Sequence, residues 1–388
     1  MTERVAVAIV GAGSTGLAAA LALHAAGVDV RVYERGAKLE ALGAGITLWS
    51  NALHVLRRLG VEEPIVARSN ELHRGETRRV DASVLAGFDF APLARELGAP
   101  CIALQRADLL GELARAVPAG VLKLGAELVA LKDEGGDVEL AFADGRRVRA
   151  AVAIGADGIR SRVRAHLGGG EPVYSGYVAY RALHDCAESL VPSGLAFETW
   201  GPSKRFGALR VDRERVYWFA TLNVPRDSTD DRRRATLSAH FGSWHAPIRR
   251  LIEATPEERV LRHDVIELAR PAELARGRLA LAGDAAHAMT PNLGQGACVG
   301  LEDAWVLGRA IARFGATPGA LRRYADARRE RVERVARDSR RAGRWGQIES
   351  PLLRWLRDTS MGTLARPLLA RLVRTTLARG VASLDALE

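Results

Sequence analysis

The first 34 residues carry the feature that most constrains the fold, a strand, a glycine-rich turn and a helix in direct succession. Residues 5–10 are apolar and largely β-branched, which is typical of a strand buried on both faces. Gly11, Gly13 and Gly16 follow at GxGxxG spacing, and an apolar helical run leads to a second strand ending at Glu34, 23 positions beyond Gly11. This βαβ unit predicts a parallel sheet that binds a dinucleotide.

Each residue of the motif has a physical reason to be there. Gly11 permits the tight turn, Gly13 lets the backbone approach a pyrophosphate, and Gly16 lets the helix pack closely on the strand. The helix N-terminus favours the phosphate charge, and Glu34 can accept hydrogen bonds from ribose hydroxyls. The motif alone does not distinguish FAD from NAD.

Length and composition place the chain among ordinary globular proteins. Its 388 residues are 48% apolar and 26% charged, which predicts two domains or one large domain with an inserted layer. Cys101, Cys186 and Cys298 are odd in number and lack metal-ligand spacing, so we expect neither a disulfide framework nor a metal site. No signal peptide and no apolar stretch of about 18–20 residues is apparent, so we expect a cytoplasmic protein without a transmembrane segment.

The net charge of +10 is concentrated near the C-terminus. Residues 309–379 hold 18 Arg and six acidic residues, a local charge of +12, and Asp385 and Glu388 add −2, so the first 308 residues sum to zero. Charges alternate in sign at helical spacing over residues 321–335, which predicts a solvated helix. Phosphate contacts are conceivable for such a stripe, but no groove-reading motif accompanies it, so we expect no nucleic-acid partner.

Two further strand ends carry acidic residues. The strand before Asp157 ends in Asp-Gly, and the strand before Asp284 ends in Gly-Asp, with the loop Pro291–Gly296 and a helix shortly after it. Between them, residues 171–270 are rich in aromatic side chains and alternate as in 215–220, which predicts an antiparallel sheet with one face lining a site.

These three ordered motifs resemble the class A flavoprotein monooxygenases, the family of para-hydroxybenzoate and salicylate hydroxylases with a urate hydroxylase and zeaxanthin epoxidase branch. The resemblance covers nearly the whole chain. It implies an α/β fold: a Rossmann-like FAD-binding domain of the glutathione-reductase type, an inserted mixed or antiparallel β-sheet for substrate, and a C-terminal helical segment. The expected boundaries are 1–73, 100–170 and 275–320 for the FAD domain, 74–99 and 171–274 for the substrate domain, and 321–388 for the helices.

The same resemblance implies which residues contact FAD. Asp284 would hold ribityl or pyrophosphate-side hydroxyls, Arg106 the diphosphate or ribityl chain, and the loop Pro291–Gly296 the isoalloxazine. The following helix would aim its N–H groups at the flavin edge that becomes negative on reduction. The full expected set is Gly11, Gly13, Gly16, Glu34, Arg35, Thr47, Arg106, Leu128, Asp157, Gly283, Asp284, Pro291, Gly294, Gln295, Gly296 and Ala297.

The activity implied is the hydroxylation of an aromatic or heteroaromatic small molecule. Since a second GxGxxG is absent, NAD(P)H would dock transiently to reduce the flavin, and O2 would form a flavin C4a-hydroperoxide that delivers one oxygen atom. Epoxidation and prenyl or alkene reduction on the same fold remain open. An NAD-dependent dehydrogenase is a further alternative, but it leaves the second and third motifs unexplained.

Fewer sequence patterns indicate which residues contact the substrate. Arg205 and Tyr217 lie where the urate hydroxylase branch places an arginine and a tyrosine near substrate, and Arg205 could stabilise a phenolate or enolate. Ala179 stands where that branch has an amide and Asn292 where it has an acid, so we do not expect urate as the substrate. His287 is interpreted as a structural histidine.

The segment 352–378 places apolar residues between arginines. We expect this apolar face to pack on the body of the enzyme, and a membrane surface or a dimer interface are the alternatives. The protein would accordingly be a monomer or a homodimer. The apolar residues are Leu352, Leu353, Trp355, Leu356, Leu364, Leu368, Leu369, Leu372 and Val373.

Overall fold

A computed structural model describes residues 2–40, 44–185, 190–363 and 365–387, and the side chains of 362–369 are outside that description. Cys186 lies outside the described residues, as do the side chains of Leu364, Leu368 and Leu369. The strands are β1 (Glu3–Val10), β2 (Val30–Tyr33), β3 (Gly45–Leu48), β4 (Asn70–Glu71), β5 (Arg74–Arg78), β6 (Val84–Asp89), β7 (Ile102–Gln105), β8 (Leu122–Lys123), β9 (Leu128–Asp133), β10 (Val138–Phe142), β11 (Arg147–Gly155), β12 (Pro172–Asp185), β13 (Leu195–Gly201), β14 (Lys204–Arg210), β15 (Arg215–Asn223), β16 (Leu261–Leu268), β17 (Ala275–Arg276) and β18 (Leu279–Leu281).

The helices alternate with strands in the N-terminal half and dominate the chain after residue 296. They are α1 (Ser14–Ala25), α2 (Ser50–Arg58), α3 (Glu62–Val66), α4 (Phe90–Leu97), α5 (Arg106–Ala116), α6 (Arg162–His166), α7 (Arg233–Phe241), α8 (Ile248–Ala254), α9 (Asp284–His287), α10 (Gly296–Phe314), α11 (Pro318–Gly346), α12 (Pro351–Thr363) and α13 (Ala365–Ala382). The expected fold class, α/β with a parallel sheet, a second largely antiparallel sheet and C-terminal helices, is confirmed.

The first sheet is built around β1. Its path is β17-β18-β11-β1-β2-β8, with β1 parallel to both β11 and β2, and β10 and β9 extend it beside β11. Its central strands are buried; α1 packs on β1 and β2, and α10 packs on α1, with Gly308 of α10 so near Ala22 of α1 that a methyl group there would come within 2.6 Å of the Ala22 Cβ. All three loop motifs leave this sheet at the carboxyl ends of β1, β11 and β18.

The second sheet has the order β16-β12-β15-β14-β13-β5-β6. Strands β5 and β6 precede the rest by about a hundred residues and join through parallel pairing of β5 with β13. Alternate residues face opposite ways: Tyr180 and Trp218 enter a core with Phe241 of α7 and Ile248 of α8, whereas the residues between them face the first sheet. The expected domain boundaries remain a prediction.

The arginine-rich helix corrects one expectation. The charge alternation predicted a solvated helix, but Arg328 of α11 is fully buried and Arg331 is 7% exposed. One face of α11 therefore faces solvent, and the other carries charge into the protein.

The exposure of the apolar face of residues 352–378 corrects a second expectation from the sequence. Packing on the enzyme was expected, but Leu352 and Trp355 of α12 are 65% and 62% exposed. On α13, Leu372 is also exposed, whereas Leu377 is buried.

Candidate functional site

A cleft lies between the two sheets and consists of two joined cavities. One, of about 500 Å³, follows the β1–α1 loop, and the other, of about 470 Å³, extends to the inner face of the second sheet. The two share Gly13, Ser14, Arg106, Ala156 and Gly158 as walls. We call them the loop cavity and the sheet chamber.

The glycines of the first loop are required by close backbone contacts. Gly11 has φ +102°, and a methyl group there would lie 2.4 Å from the Ala156 carbonyl oxygen; at Gly16 it would lie 2.0 Å from the Gly11 carbonyl oxygen. Gly13 differs, because no atom of the described residues beyond its chain neighbours lies within 4 Å of where its Cβ would be. The space over Gly13 opens into the cleft, as a loop that holds a ligand against its backbone requires.

Glu34, predicted to accept hydrogen bonds from ribose hydroxyls, also has a structural role. Its carboxylate accepts hydrogen bonds from the backbone N–H of Ala12 (2.8 Å) and of Gly36 (2.9 Å), while the residue lines the loop cavity. The side chain therefore fixes the glycine loop to the end of β2 and leaves lone pairs for hydroxyl donors.

Asp157 contains an unpartnered buried atom. Its Oδ2 accepts from the N–H of Arg162 (2.8 Å), but Oδ1 is buried with no hydrogen-bond partner among the described residues. Burial raises the pKa of Asp157 despite that bond. Because the residue lines the loop cavity, a hydroxyl or N–H donor of a ligand fits this position.

The structure brings most of the predicted FAD residues to this cleft. Gly11, Gly13, Glu34, Arg35, Arg106, Leu128 and Asp157 line the loop cavity, and Thr47, Asp284, Pro291, Gly294, Gly296 and Ala297 line the sheet chamber. Gly16, Gly283 and Gln295 lie behind the walls. Gln295 is turned away, since its Oε1 accepts from Asn51 Nδ2 (3.1 Å).

The loop Pro291–Gly296 is fastened from behind by α11. Ser339 Oγ donates to the Thr290 carbonyl oxygen (2.5 Å), and Asn292 Nδ2 donates to the Ser339 carbonyl oxygen (3.1 Å). A methyl group at Gly343 would lie 2.3 Å from Asn292 Nδ2, so the contact leaves no spare volume. Helix α10 begins at Gly296, with its N-terminus at the chamber wall.

Arg205 lies on β14 in the chamber wall and is 3% exposed. Its Nη1 donates to Glu198 Oε1 (2.9 Å), its Nη2 to Asn292 Oδ1 (2.6 Å) and its Nε to Gln347 Oε1 (3.2 Å). Three of the five guanidinium N–H groups are therefore engaged and two remain for a ligand. The neighbouring carboxylate offsets the charge, so this end of the chamber is polar and nearly neutral.

Tyr217 also lies in the chamber wall, on β15. A methyl group at Gly45 of β3 would come within 2.4 Å of the Tyr217 ring, so the short sheet formed by β3, β7 and β4 meets the second sheet there without room for another side chain. Burial raises the pKa of Tyr217, and Arg181 and Arg106 oppose part of that rise. The hydroxyl is therefore a neutral donor near two cations.

Arg181, which the sequence did not single out, faces the chamber from β12 between Ala179 and Leu183. It has no hydrogen-bond or ion-pair partner within the described ranges. Arg205 is neutralised and Arg181 is not, so an anionic ligand group would find its counter-charge at Arg181. An alternating arginine on a strand gives no sequence signal that separates these two roles.

A buried ionic network lies behind the cleft, and the sequence did not predict it. Asp303 Oδ2 accepts from the Gly283 N–H (3.0 Å) and contacts His287 Nε2 (2.5 Å), while Arg328 donates to Asp303 Oδ1 (2.8 Å) and to Glu302 Oε2 (2.6 Å). His287 is accordingly buried in this network, away from the cavity walls. The acids and arginines are 25 or more residues apart, so local spacing could not reveal the pairing.

The network sets the charge state of its members. Burial alone would raise the pKa of Glu302, but Arg331 and Arg328 lower it to about 2. Arg331 also donates to the Thr376 carbonyl oxygen of α13 (2.8 Å), so α10, α11 and α13 are joined by one set of charges. Asp303 holds the Gly283 turn in place through the same set.

The described residues provide neither a metal site nor a membrane-spanning helix. No group of three or more His, Cys, Asp or Glu is placed to hold a metal ion in the described ranges. Within the same ranges, every helix is too short or too polar to cross a bilayer. Cys298 is buried, and burial raises the pKa of its thiol to about 12, which suits a packing role.

Comparison with known proteins gives consistent similarities. The family described as FAD binding domain matches residues 4–339. The chain is 37% identical over 363 residues to the aurachin C monooxygenase/isomerase of Stigmatella aurantiaca, covering 93% of this chain and 94% of that protein. It is 34% identical to the 2-heptyl-3-hydroxy-4(1H)-quinolone synthase of Pseudomonas aeruginosa, covering 91% and 92%. Among solved structures, Klebsiella pneumoniae HpxO complexed with FAD and uric acid is similar with a TM-score of 0.90 at 28% identity, covering 96% of this chain and 97% of that one.

Proposed function

This chain belongs to the class A flavoprotein monooxygenases and is an FAD-dependent monooxygenase. On that premise we propose that it hydroxylates a planar aromatic or heteroaromatic compound that carries a hydroxyl or carbonyl group on the ring. The observation that carries the proposal is Arg205, a buried guanidinium in the chamber wall that uses three of its five N–H groups on protein acceptors. NAD(P)H is the proposed electron donor and O2 the proposed oxygen source.

The residues of the cleft fit FAD. The open space over Gly13, the unpartnered Asp157 Oδ1 and the carboxylates of Glu34 and Asp284 supply backbone approach and hydroxyl acceptors along the loop cavity and into the sheet chamber. When bound, FAD would supply the redox chemistry, taking a hydride from NAD(P)H and passing one oxygen atom of O2 to the substrate. The route of oxygen transfer remains a prediction.

The chain itself would orient and activate the substrate. Tyr217, Phe219, Leu209 and Val265 lie on strands of the second sheet and form one wall of the chamber, against which an aromatic ring can pack with water excluded. If the hydroxyl oxygen on the substrate ring accepts a hydrogen bond from Arg205, its deprotonated form is stabilised. The negative charge then raises the electron density on the neighbouring ring carbon. Arg205 and Tyr217 are therefore proposed to orient and activate the substrate.

The polar groups of the chamber argue against a purine. Ala179 contributes no hydrogen-bonding group, and Asn292 already uses its Oδ1 on Arg205 and its Nδ2 on the Ser339 carbonyl oxygen. A buried urate would leave the ring N–H or C=O groups that face Ala179 unpaired, at a cost of about 1–3 kcal/mol each. We therefore expect a ring with fewer polar edges, such as a phenol or a quinolone.

The test measures oxygen transfer. Purified holoenzyme is incubated with NADH or NADPH under ¹⁸O2 with 2-heptyl-4(1H)-quinolone, 4-hydroxybenzoate and urate, and products are analysed by mass spectrometry. We expect nicotinamide oxidation at least tenfold above background, with one ¹⁸O per product, for a quinolone or a phenol but not for urate.

Two results would contradict the proposed hydroxylation or the argument about its substrate. Turnover of these compounds under argon at the aerobic rate would replace hydroxylation by the reductase alternative. Urate turnover with Ala179 in place would remove the argument from unpaired polar groups.

A further inference from the structure

Helix α12 is oriented with its apolar residues toward solvent. Eleven large hydrophobic side chains are exposed in the described parts of the chain, and six of them lie within residues 345–372. Four lie within five consecutive residues of α12: Leu352, Leu353, Trp355 and Leu356, each at least 48% exposed. At 100° per residue they span an arc of about 160°, a continuous apolar face.

The opposite face of α12 is anchored by a buried charge. Arg357 is 1% exposed, its Nη1 donates to the Trp345 carbonyl oxygen (3.1 Å), and its guanidinium carbon lies 4.9 Å from the centre of the Trp200 ring. Met361, one turn on, is 8% exposed. The helix is therefore held in place with its polar and mixed side inward, and its leucines are not turned outward by fraying.

The charge around this face indicates its occupant. Residues 341–379 contain eight Arg and two acidic residues, a net charge of +6. Arg344 and Arg371 are exposed and have no ion-pair partner in the described structure. In a two-fold dimer through this face, each basic patch would meet its own copy, which like-charge repulsion disfavours. An anionic lipid surface offers apolar depth and opposite charge together.

We propose that the apolar face of α12 docks the enzyme peripherally on anionic lipid bilayers. The leucines and Trp355 enter the boundary between headgroups and acyl chains, where Trp is favoured, and the arginines contact lipid phosphates. The docked face adjoins the substrate end of the enzyme, because Gln347, two residues from the exposed Trp345, accepts from Arg205 in the chamber wall.

The test uses FAD-loaded enzyme and extruded vesicles, so it does not depend on the proposed substrate or on turnover. Flotation with phosphatidylcholine vesicles is compared with flotation using vesicles containing 30% phosphatidylglycerol, at low salt. We expect a bound fraction at least tenfold higher on the anionic vesicles, a decrease in 0.5 M NaCl, and a blue shift of tryptophan emission on binding.

The variant L352S/W355S should reduce binding at least tenfold with unchanged flavin content and Tm, since both side chains are exposed. The matched control is V129S, which removes another exposed apolar residue, 47% accessible on β9, and should bind like the parent. Absence of binding to anionic vesicles would overturn the proposal. So would a dimer by light scattering that L352S/W355S converts to monomer, because this assigns the face to a second copy.

Discussion

The loop cavity and the sheet chamber are made from different parts of the chain. The loop cavity is shaped by backbone: glycines where an added Cβ would lie only 2.0–2.4 Å from a carbonyl oxygen, and an acidic side chain that accepts from loop N–H groups. The sheet chamber is shaped by side chains on alternate positions of β12, β14 and β15. A backbone site tolerates little change and serves one ligand, whereas a side-chain site can change its ligand residue by residue.

The largest effects are expected at the glycines. Gly16→Ala should give protein without bound flavin, because the added methyl group lies 2.0 Å from the Gly11 carbonyl oxygen. Gly13→Ala should weaken FAD affinity at least tenfold but leave the Tm of the apoprotein within about 2 °C, since the added Cβ meets nothing within 4 Å in the described parts of the chain. Flavin content and thermal unfolding measure both, with Gly111→Ala, also free of contacts, as the control. Equal loss of apoprotein stability in the Gly13 and Gly16 variants would erase the distinction between a packing glycine and a ligand glycine.

The ionic network comes next and tests how far the loop cavity depends on charges behind it. Glu302→Gln should lower the free energy of unfolding by about 3–5 kcal/mol, because Arg328 and Arg331 remain buried with less compensation. The pKa of Glu302 is about 2 in the folded protein, below its unfolded value of about 4.3. Its contribution is therefore complete above about pH 4.5 and is lost as pH falls toward 2. Urea titrations at pH 7 and pH 3 should show the parent and variant converging at the lower pH; a constant difference would contradict the assigned pKa.

Arg181 and Arg205 provide the direct test of the chamber. Arg181→Gln should weaken binding of 4-hydroxybenzoate relative to its uncharged amide about tenfold with unchanged Tm, since the arginine has no partner to lose among the described residues. Arg205→Gln should lower Tm as well, because Glu198, Asn292 and Gln347 each lose a donor. Flavin difference spectra give the two affinities. An identical response of both variants would show that the chamber has no separate neutral and cationic ends.

The smallest effect is expected at Gln347. Gln347→Leu removes the acceptor of Arg205 Nε and of Thr221 Oγ1 and should cost about 1 kcal/mol of stability. Substrate KM should rise with little change in kcat, since the side chain positions Arg205 and lies outside the cavity walls. Gln347→Glu, which keeps an acceptor, should restore the KM, and a loss of kcat in both variants would make Gln347 more than a positioning residue.

The sequence predicted which residues line the loop cavity more fully than it predicted the contacts of the sheet chamber, for a physical reason. Backbone demands leave glycines and strand-end acids at fixed spacing, so Gly11, Asp157 and Asp284 could be recognised before the fold was seen. The partners of Arg205 come from β13, the Pro291–Gly296 loop and the end of α11, and no local pattern joins them. Burial of Arg328 was likewise invisible, since its acids lie on another helix.

The three origins of those partners limit how the enzyme can be recombined with its relatives. Exchanging residues 171–274 as a block would carry Arg205 and Glu198 together but would leave Asn292 and Gln347 behind, two of the three acceptors of the guanidinium. A functional chimera must transfer the 291–296 loop and the 343–349 connection along with the sheet. Substrate specificity thus depends on contacts among segments that are distant in the sequence, and these segments must be transferred together.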